Sequence, residues 1–244
     1  MTKEFPPAQP HDQLRELWPD VFALEGSIHL GNGIRFYRSM YVFRDGRDLA
    51  IVNSIRLDEA GEAALEELGT VKHVVKIGAF HGLDDPYYVD RFGATLWAQE
   101  GAPHKGGLET DEIISVGGNI PITDAKVFVF KATDLPEAIL VLPHDGGTLV
   151  TCDSIQNFET LEGTSNVDDF FTAEKGFLRT AGIGLPWRSR MTKENGPPLT
   201  IDYQRLLERD FANILTGHGP PIMGTAREDL RATVRYLFGI KLEA

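Results

Sequence analysis

The chain has 244 residues, of which 42% are hydrophobic, so it is long and apolar enough to build one large core. Its 36 acidic residues outnumber 24 basic ones, and the resulting net charge of −12 repels phosphate backbones and anionic membrane surfaces. Nucleic acids and membranes are therefore not expected as partners. A small-molecule substrate or ligand is expected instead.

The N-terminus has no basic start followed by an apolar run, because Pro6, Pro7 and Pro10 interrupt it. No apolar stretch of roughly 18 residues, the length of a spanning helix, occurs anywhere. The single cysteine, Cys152, cannot form an intramolecular disulfide, which agrees with a reducing compartment. We expect a cytoplasmic protein with one domain over 1–244, in which residues 1–20 are an N-terminal extension.

Short β-type runs separated by turn pairs open the predicted fold. The runs cover residues 21–30, 34–43 and 48–55. Asn32-Gly33 and Asp45-Gly46 lie between them. These pairs supply the positive φ angles of tight hairpins, so an antiparallel meander is predicted.

A β-loop-α-β unit comes next. A helix is predicted between a capping Asp58 and Gly69, where a left-handed stop is favoured. A buried strand over 73–77, a short helix over 87–92 and a strand over 94–98 follow.

The second half repeats this order of strands and then helices. Four strands are predicted over 112–116, 126–131, 138–142 and 148–152. An apolar helix face runs from Tyr203 to Ile214, and Thr225 with Glu228 reads as a capping box that opens a final helix. Two such halves predict two sheets packed face to face with helices outside, a four-layer αββα sandwich of α/β class.

The segment 157–200 interrupts this pattern. It is irregular but contains aromatic residues, namely Phe170, Phe171, Phe177 and Trp187. Long segments without periodicity are usually functional covers or oligomer contacts. We expect this one to shape a substrate pocket, and a homodimer through it is a further expectation.

Three polar loops follow predicted buried strands or apolar runs. They are Gly78 to Asp85, Thr151 to Ser154 and Thr216 to Gly219. Strand ends in α/β architectures converge on one edge, and imidazole with carboxylate groups binds zinc-type or iron-type cations. The candidate ligands are therefore His81, Asp84, Asp153 and His218.

This order of elements resembles the metallo-β-lactamase superfamily over residues 25–240. The resemblance assigns Asp153 to the aspartate that follows a strand in that family, and His218, within Gly217-His218-Gly219, to its last histidine. The family's His-x-His-x-Asp-His loop is degenerate here. One alignment of His81 places Asp84 in the last position of the motif, and the other retains Asp85 as its aspartate.

The two-metal site of the family cannot be intact, because Thr133 lies nearest to the expected place of a further histidine. The resemblance implies one zinc, iron or manganese ion held by Asp84, Asp153 and His218, with His81 as a fourth ligand or an acid–base group. It also implies hydrolysis of an ester, thioester, lactone or phosphodiester. The alternative is a non-catalytic binding or scaffold protein with a vestigial metal site.

Simpler roles remain open for several residues. Asp84 or Asp85 before Pro86 is typical of a helix cap, and Cys152 is expected in the core. The basic cluster of Arg188, Arg190 and Lys193 either binds an anion or forms a solvated loop.

Overall fold

Two β-sheets form the centre of the molecule in the computed structural model, which describes residues 4–30, 34–158 and 178–240. The first sheet has seven strands in chain order. They are β1 (Arg15–Trp18), β2 (Val21–Leu30), β3 (Ile34–Asp45), β4 (Asp48–Val52), β5 (Thr70–Lys76), β6 (Thr95–Ala98) and β7 (Glu112–Ile113). The second sheet has four, in the order β11-β10-β9-β8. They are β8 (Lys126–Val129), β9 (Ala138–Leu142), β10 (Thr148–Val150) and β11 (Asn213–Leu215).

Helices cover the outer face of each sheet. They are α1 (Glu59–Leu68), α2 (Asp85–Phe92), α3 (Leu185–Met191), α4 (Thr200–Leu207) and α5 (Ala226–Phe238). Within the described ranges, none of the helices is long and apolar enough to cross a membrane.

The alternation of side chains along β3 shows how the layers form. Tyr41 and Phe43 point into the core between the two sheets, where residues such as Leu140 of the second sheet meet them. Met40 and Val42 point to the opposite face, into the core beneath α1 and α2. A strand that is apolar on both faces must be covered on both, so the alternation requires an inner sheet layer and an outer helix layer.

The outer helices complete the four layers. Leu65 of α1 and Tyr88 of α2 pack on the first sheet. Trp187 of α3, Tyr203 of α4 and Leu230 of α5 pack on the second. The predicted αββα sandwich is confirmed.

Most predicted elements appear, with changes at their ends. The helix face predicted from Tyr203 to Ile214 is wrong beyond Leu207, because α4 ends there and Ile214 lies in β11. The predicted extension contains β1, which pairs antiparallel with β2. The irregular segment contains α3. The Asn32-Gly33 turn and the aromatic residues Phe170, Phe171 and Phe177 lie outside the described residues. The assignment of the chain to one domain and the homodimer stay predictions.

The two predicted helix caps have different outcomes. Asp58 does cap α1, since its carboxylate accepts a hydrogen bond of 2.8 Å from the Gly61 amide. The capping box at α5 is wrong, because Thr225 caps no amide and its hydroxyl donates to Asp229 over 2.7 Å.

Replacing Asp58 by Ala removes this cap. We expect the D58A variant to lose about 1 kcal/mol of unfolding free energy, the usual cost of losing a side-chain N-cap. Urea denaturation measures the change. E67A removes an exposed acid from the same helix and should change the unfolding free energy by less than about 0.5 kcal/mol. Equal losses in both variants would show that the cap contributes nothing specific.

Candidate metal centre

Three of the predicted ligands come together where the loops after β5, β10 and β11 meet. The His81 and His218 Nε2 atoms lie 2.9 Å apart. His218 Nε2 lies 3.2 Å from Asp153 Oδ1, and His81 Nε2 lies 3.6 Å from Asp153 Oδ2. One donor atom from each residue can be chosen so that all three fall within 4.8 Å of one another. The sequence-based expectation that these loops converge is met for these three side chains.

The Gly-His-Gly turn is fixed by close backbone contacts. A Cβ on Gly217 would lie 3.0 Å from the Cys152 backbone, and a Cβ on Gly219 would lie 2.0 Å from the Asn157 carbonyl oxygen. Gly219 also has a φ of +81°, in the left-handed region that favours glycine. The two glycines therefore let the turn approach the neighbouring loop closely enough to bring His218 beside Asp153.

The His218 ring is oriented by its other nitrogen. Its Nδ1 lies 2.6 Å from the Tyr37 carbonyl oxygen, which can only accept, so Nδ1 carries the proton. The ring also packs against Phe36 and Phe158, with centroids 4.9 and 5.8 Å away. In the neutral ring Nε2 then has a free lone pair directed at the cluster, the arrangement that metal-binding histidines adopt.

The cluster combines a neutral His81 with an ionised Asp153. Burial lowers the pKa of His81 to about 3, although Asp153 opposes this shift, so His81 is neutral at physiological pH. Burial by itself would raise the pKa of Asp153, but the interactions with His81 and His218 outweigh it and hold that pKa below its usual range. Asp153 is therefore ionised, with a 3.3 Å contact from the Cys152 thiol.

The donor set fits one divalent cation. His218 Nε2 and Asp153 Oδ1 both present lone pairs across 3.2 Å, a contact that is favourable only with a proton or a cation shared between them. Ligand distances of about 2.0–2.1 Å and tetrahedral angles would separate donor atoms by about 3.3 Å. The separations of 2.9, 3.2 and 3.6 Å bracket that value.

The structure places Asp84, predicted as a metal ligand, outside this cluster. Its Oδ2 accepts hydrogen bonds from Arg38 Nη2 at 2.5 Å and from the Arg56 amide at 3.0 Å. It precedes α2 but makes no side-chain cap bond. Asp85, its alternative, accepts a 2.6 Å hydrogen bond from Ser54. Both acids are buried, and neither joins the histidines, so three ligands remain.

Two buried cations beside His81 were not predicted. Arg38 lies on the same face of β3 as Met40 and Val42, and Lys76 follows the buried Val74 and Val75 at the end of β5. Lys76 Nζ donates a hydrogen bond to the His81 carbonyl oxygen, which fixes the loop. Each residue is 7% exposed or less. A charge inside an apolar run was the available sequence signal.

Glu137, also absent from the prediction, lies beneath Asp153. It is fully buried, and its Oε1 accepts a 3.1 Å hydrogen bond from the Ser154 amide. Burial, together with the Asp153 charge, raises the pKa of Glu137 to about 8. The carboxyl group is therefore protonated at neutral pH.

The three ligands open into a cavity of about 340 Å³. Its other walls are Phe36, Phe80, Gln156 and residues of α3, including Trp187. Trp187 belongs to the aromatic segment that was predicted to shape a pocket, and it lines this cavity.

Solved structures with the same architecture identify the fold. VMB-1 superposes with a TM-score of 0.63 and 16% identity, over 93% of this chain and 96% of that one. The metallo-β-lactamase FIM-1 from Pseudomonas aeruginosa, in its mono-zinc form, gives 0.61 and 12%, over 94% and 97%. A flavo di-iron protein from Thermotoga maritima gives 0.64 and 14%, over 94% of this chain and 63% of that one. No family model and no curated protein matches the sequence.

The chain therefore has the metallo-β-lactamase fold, as the resemblance predicted. Within that fold it carries a largely buried His-Asp-His cluster whose side chains could hold a metal ion.

Replacing Asp84 by Asn tests whether Asp84 acts as the counterion of Arg38 or as a metal ligand. We expect D84N to lose about 3 kcal/mol of unfolding free energy, because Arg38 would keep a buried charge without its counterion. D20N removes the acid from the more exposed Arg44–Asp20 pair and should cost less than about 1 kcal/mol. Urea denaturation measures both. Any metal that the wild type takes up should also bind to folded D84N, and loss of uptake in D84N alone would make Asp84 a candidate ligand again.

The raised pKa of Glu137 predicts a pH-dependent stability. The folded state keeps the proton up to about pH 8, whereas the unfolded chain loses it near 4.5, so this contribution is full below pH 4.5 and is lost as the pH rises to 8. We expect E137Q to gain a few kcal/mol relative to the wild type between pH 5 and pH 8. Urea denaturation at several pH values tests this. E67Q, an exposed control, should follow the wild type, and parallel curves for E137Q would contradict the assignment.

Proposed function

We propose that the chain is a single-metal hydrolase of an ester, thioester, lactone or phosphodiester, with one zinc, iron or manganese ion held by His81, Asp153 and His218. The observation that carries the proposal is the convergence of these three donors at the wall of a cavity. The metallo-β-lactamase fold supports it. Three protein ligands with an open position are typical of catalytic rather than structural metal sites.

A bound ion would supply a coordinated water with a pKa near 7 and would polarise the bond to be cleaved. The protein's own contribution is to hold the donors. The Tyr37 carbonyl fixes the His218 tautomer, and Lys76 fixes the backbone of His81. Phe36 and Trp187 limit the access of solvent to the same cavity.

One ion is favoured over two by the local charge. Arg38 and Lys76 both lower the pKa of His81 electrostatically, so their positive charges act on the side of the cluster that His81 occupies. Further cationic charge there would be repelled in a buried, low-dielectric setting. The neighbouring acids Asp84 and Asp85 are already bonded to Arg38 and Ser54.

The test is metal content by elemental mass spectrometry. Protein purified without chelators or a metal-affinity tag should carry about one equivalent of zinc, iron or manganese per chain. H218A and D153N should fall to background, since each removes one of three ligands, while remaining folded by circular dichroism. H29A removes an exposed histidine and should retain the metal.

Activity is then measured on a panel of esters, thioesters, lactones and phosphodiesters. Hydrolysis should disappear on chelation and return with the ion. No metal above background in the wild type, even after incubation with all three ions, would overturn the proposal and leave a fold retained for binding.

A further inference from the structure

We propose that Arg190 selects substrates that combine an apolar body with a carboxylate group. This inference deepens the proposed function, because it names the substrate class of the same cavity. The observation behind it is the Arg190 guanidinium group, which pairs with no acid in the described part of the chain and lies on a mainly apolar wall beside the His-Asp-His cluster.

The cavity wall is mainly apolar. Six side chains supply this surface, namely Ile28, Phe36, Phe80, Leu83, Pro186 and Trp187. Such a wall gains free energy from burying hydrocarbon or aromatic groups, so the body of the ligand is apolar.

The charge of the wall is opposite in sign to that of the chain. Although the chain has a net charge of −12, the lining contains Arg38 and Arg190 and a single acid, Asp153. Asp153 contacts the two histidines, and Arg38 is paired with Asp84. Arg190 forms no ion pair with an acidic side chain in the described ranges, so its positive charge is available to a ligand.

The position of Arg190 is set by α3. Pro186 and Trp187 precede Arg190 by four and three residues, so each is its neighbour on the helix surface, and all three line the cavity. Trp187 is 3% exposed and anchors the helix in the core. The Arg190 guanidinium carbon lies 5.5 Å from the centre of the Phe80 ring, which holds it at the wall.

The two other residues of the basic cluster in the sequence point elsewhere. Arg188 Nε donates to the Ile183 carbonyl oxygen over 3.1 Å, and Lys193 Nζ donates to the Lys131 carbonyl oxygen over 3.3 Å. Neither lines the cavity. The anion-binding role that the sequence left open for three residues therefore falls to Arg190.

A carboxylate is the group that this arrangement suits. Guanidinium offers two parallel N–H donors that match the two carboxylate oxygens, and an aromatic neighbour lowers its hydration. A substrate with an apolar chain, a cleavable acyl bond and a terminal carboxylate would place its bond at the cluster and its charge at Arg190.

The test compares two probes of equal shape, 4-phenylbutyrate and its neutral amide 4-phenylbutyramide. Dissociation constants are measured by calorimetry on the full chain, as purified and again after chelation, because a carboxylate also binds metal directly. We expect the chelated wild type to prefer the anion by about fivefold, the scale of one partly exposed charge pair. R190Q should lose this preference and keep its affinity for the amide.

R209Q is the matched control, since it removes one positive charge from an exposed site outside the cavity and should keep the preference. These outcomes are judged on the chelated proteins. The proposal is overturned if R190Q still prefers the anion, if R209Q loses the preference equally, or if neither probe binds the wild type. The chelated preparation keeps this result separate from the proposed hydrolysis, because binding there requires no metal and no turnover.

Discussion

The parallel pairing of β10 with β11 is the constraint on which the site depends. Val150 and Leu215 are partners in that pairing, and the Thr151 amide extends it with a 2.9 Å hydrogen bond to the Leu215 carbonyl. Parallel strands end at the same edge of a sheet, so the loops that follow them emerge side by side. Asp153 and His218 lie in these two loops, three residues beyond the paired positions, and the pairing therefore determines their contact.

The third candidate ligand, His81, follows β5 of the first sheet, and buried charges surround it. His81 lies in a loop whose backbone is held by the ammonium group of Lys76, and Arg38 with Asp84 forms a buried ion pair close by. Burying charges is expensive unless each is paired or hydrogen-bonded, and it adds little net stability even then. These charges serve to fix the loop and to set the electrostatics around His81, whose pKa both cations lower.

The architecture is shared with other proteins, whereas the residues of the site are particular to this chain. The αββα architecture is common to the solved structures it resembles, and it places loops at one edge of the sandwich. A fold that hosts many chemistries does not fix a reaction. The cluster of His81, Asp153 and His218, and the position of Arg190 on a mainly apolar wall, are properties of this chain's residues. Function has to be argued from them.

The sequence by itself predicted most of the helices and strands and two of the candidate metal ligands, Asp153 and His218. Short sequence motifs predict structure well where one residue type has one physical role. Asp58 as the cap of α1 and the glycines around His218 are two examples. Alternation and apolar runs predicted most strands of the two sheets and most covering helices, but not β1, β11 or α3. Asp153 was placed by its position after a predicted strand, and His218 by its flanking glycines and the family resemblance.

Only the tertiary structure decided which acidic side chain lies close enough to His81 to share a metal site with it. Asp84 and Asp85 are equivalent in the sequence, and their different partners, Arg38 and Ser54, lie 46 and 31 residues away along the chain. Whether a carboxylate serves as a ligand or a counterion depends on the cation nearest to it in space, and local sequence does not encode that distance. The same reason explains why Glu137 was missed and why Arg190, rather than its neighbours in the sequence, faces the cavity.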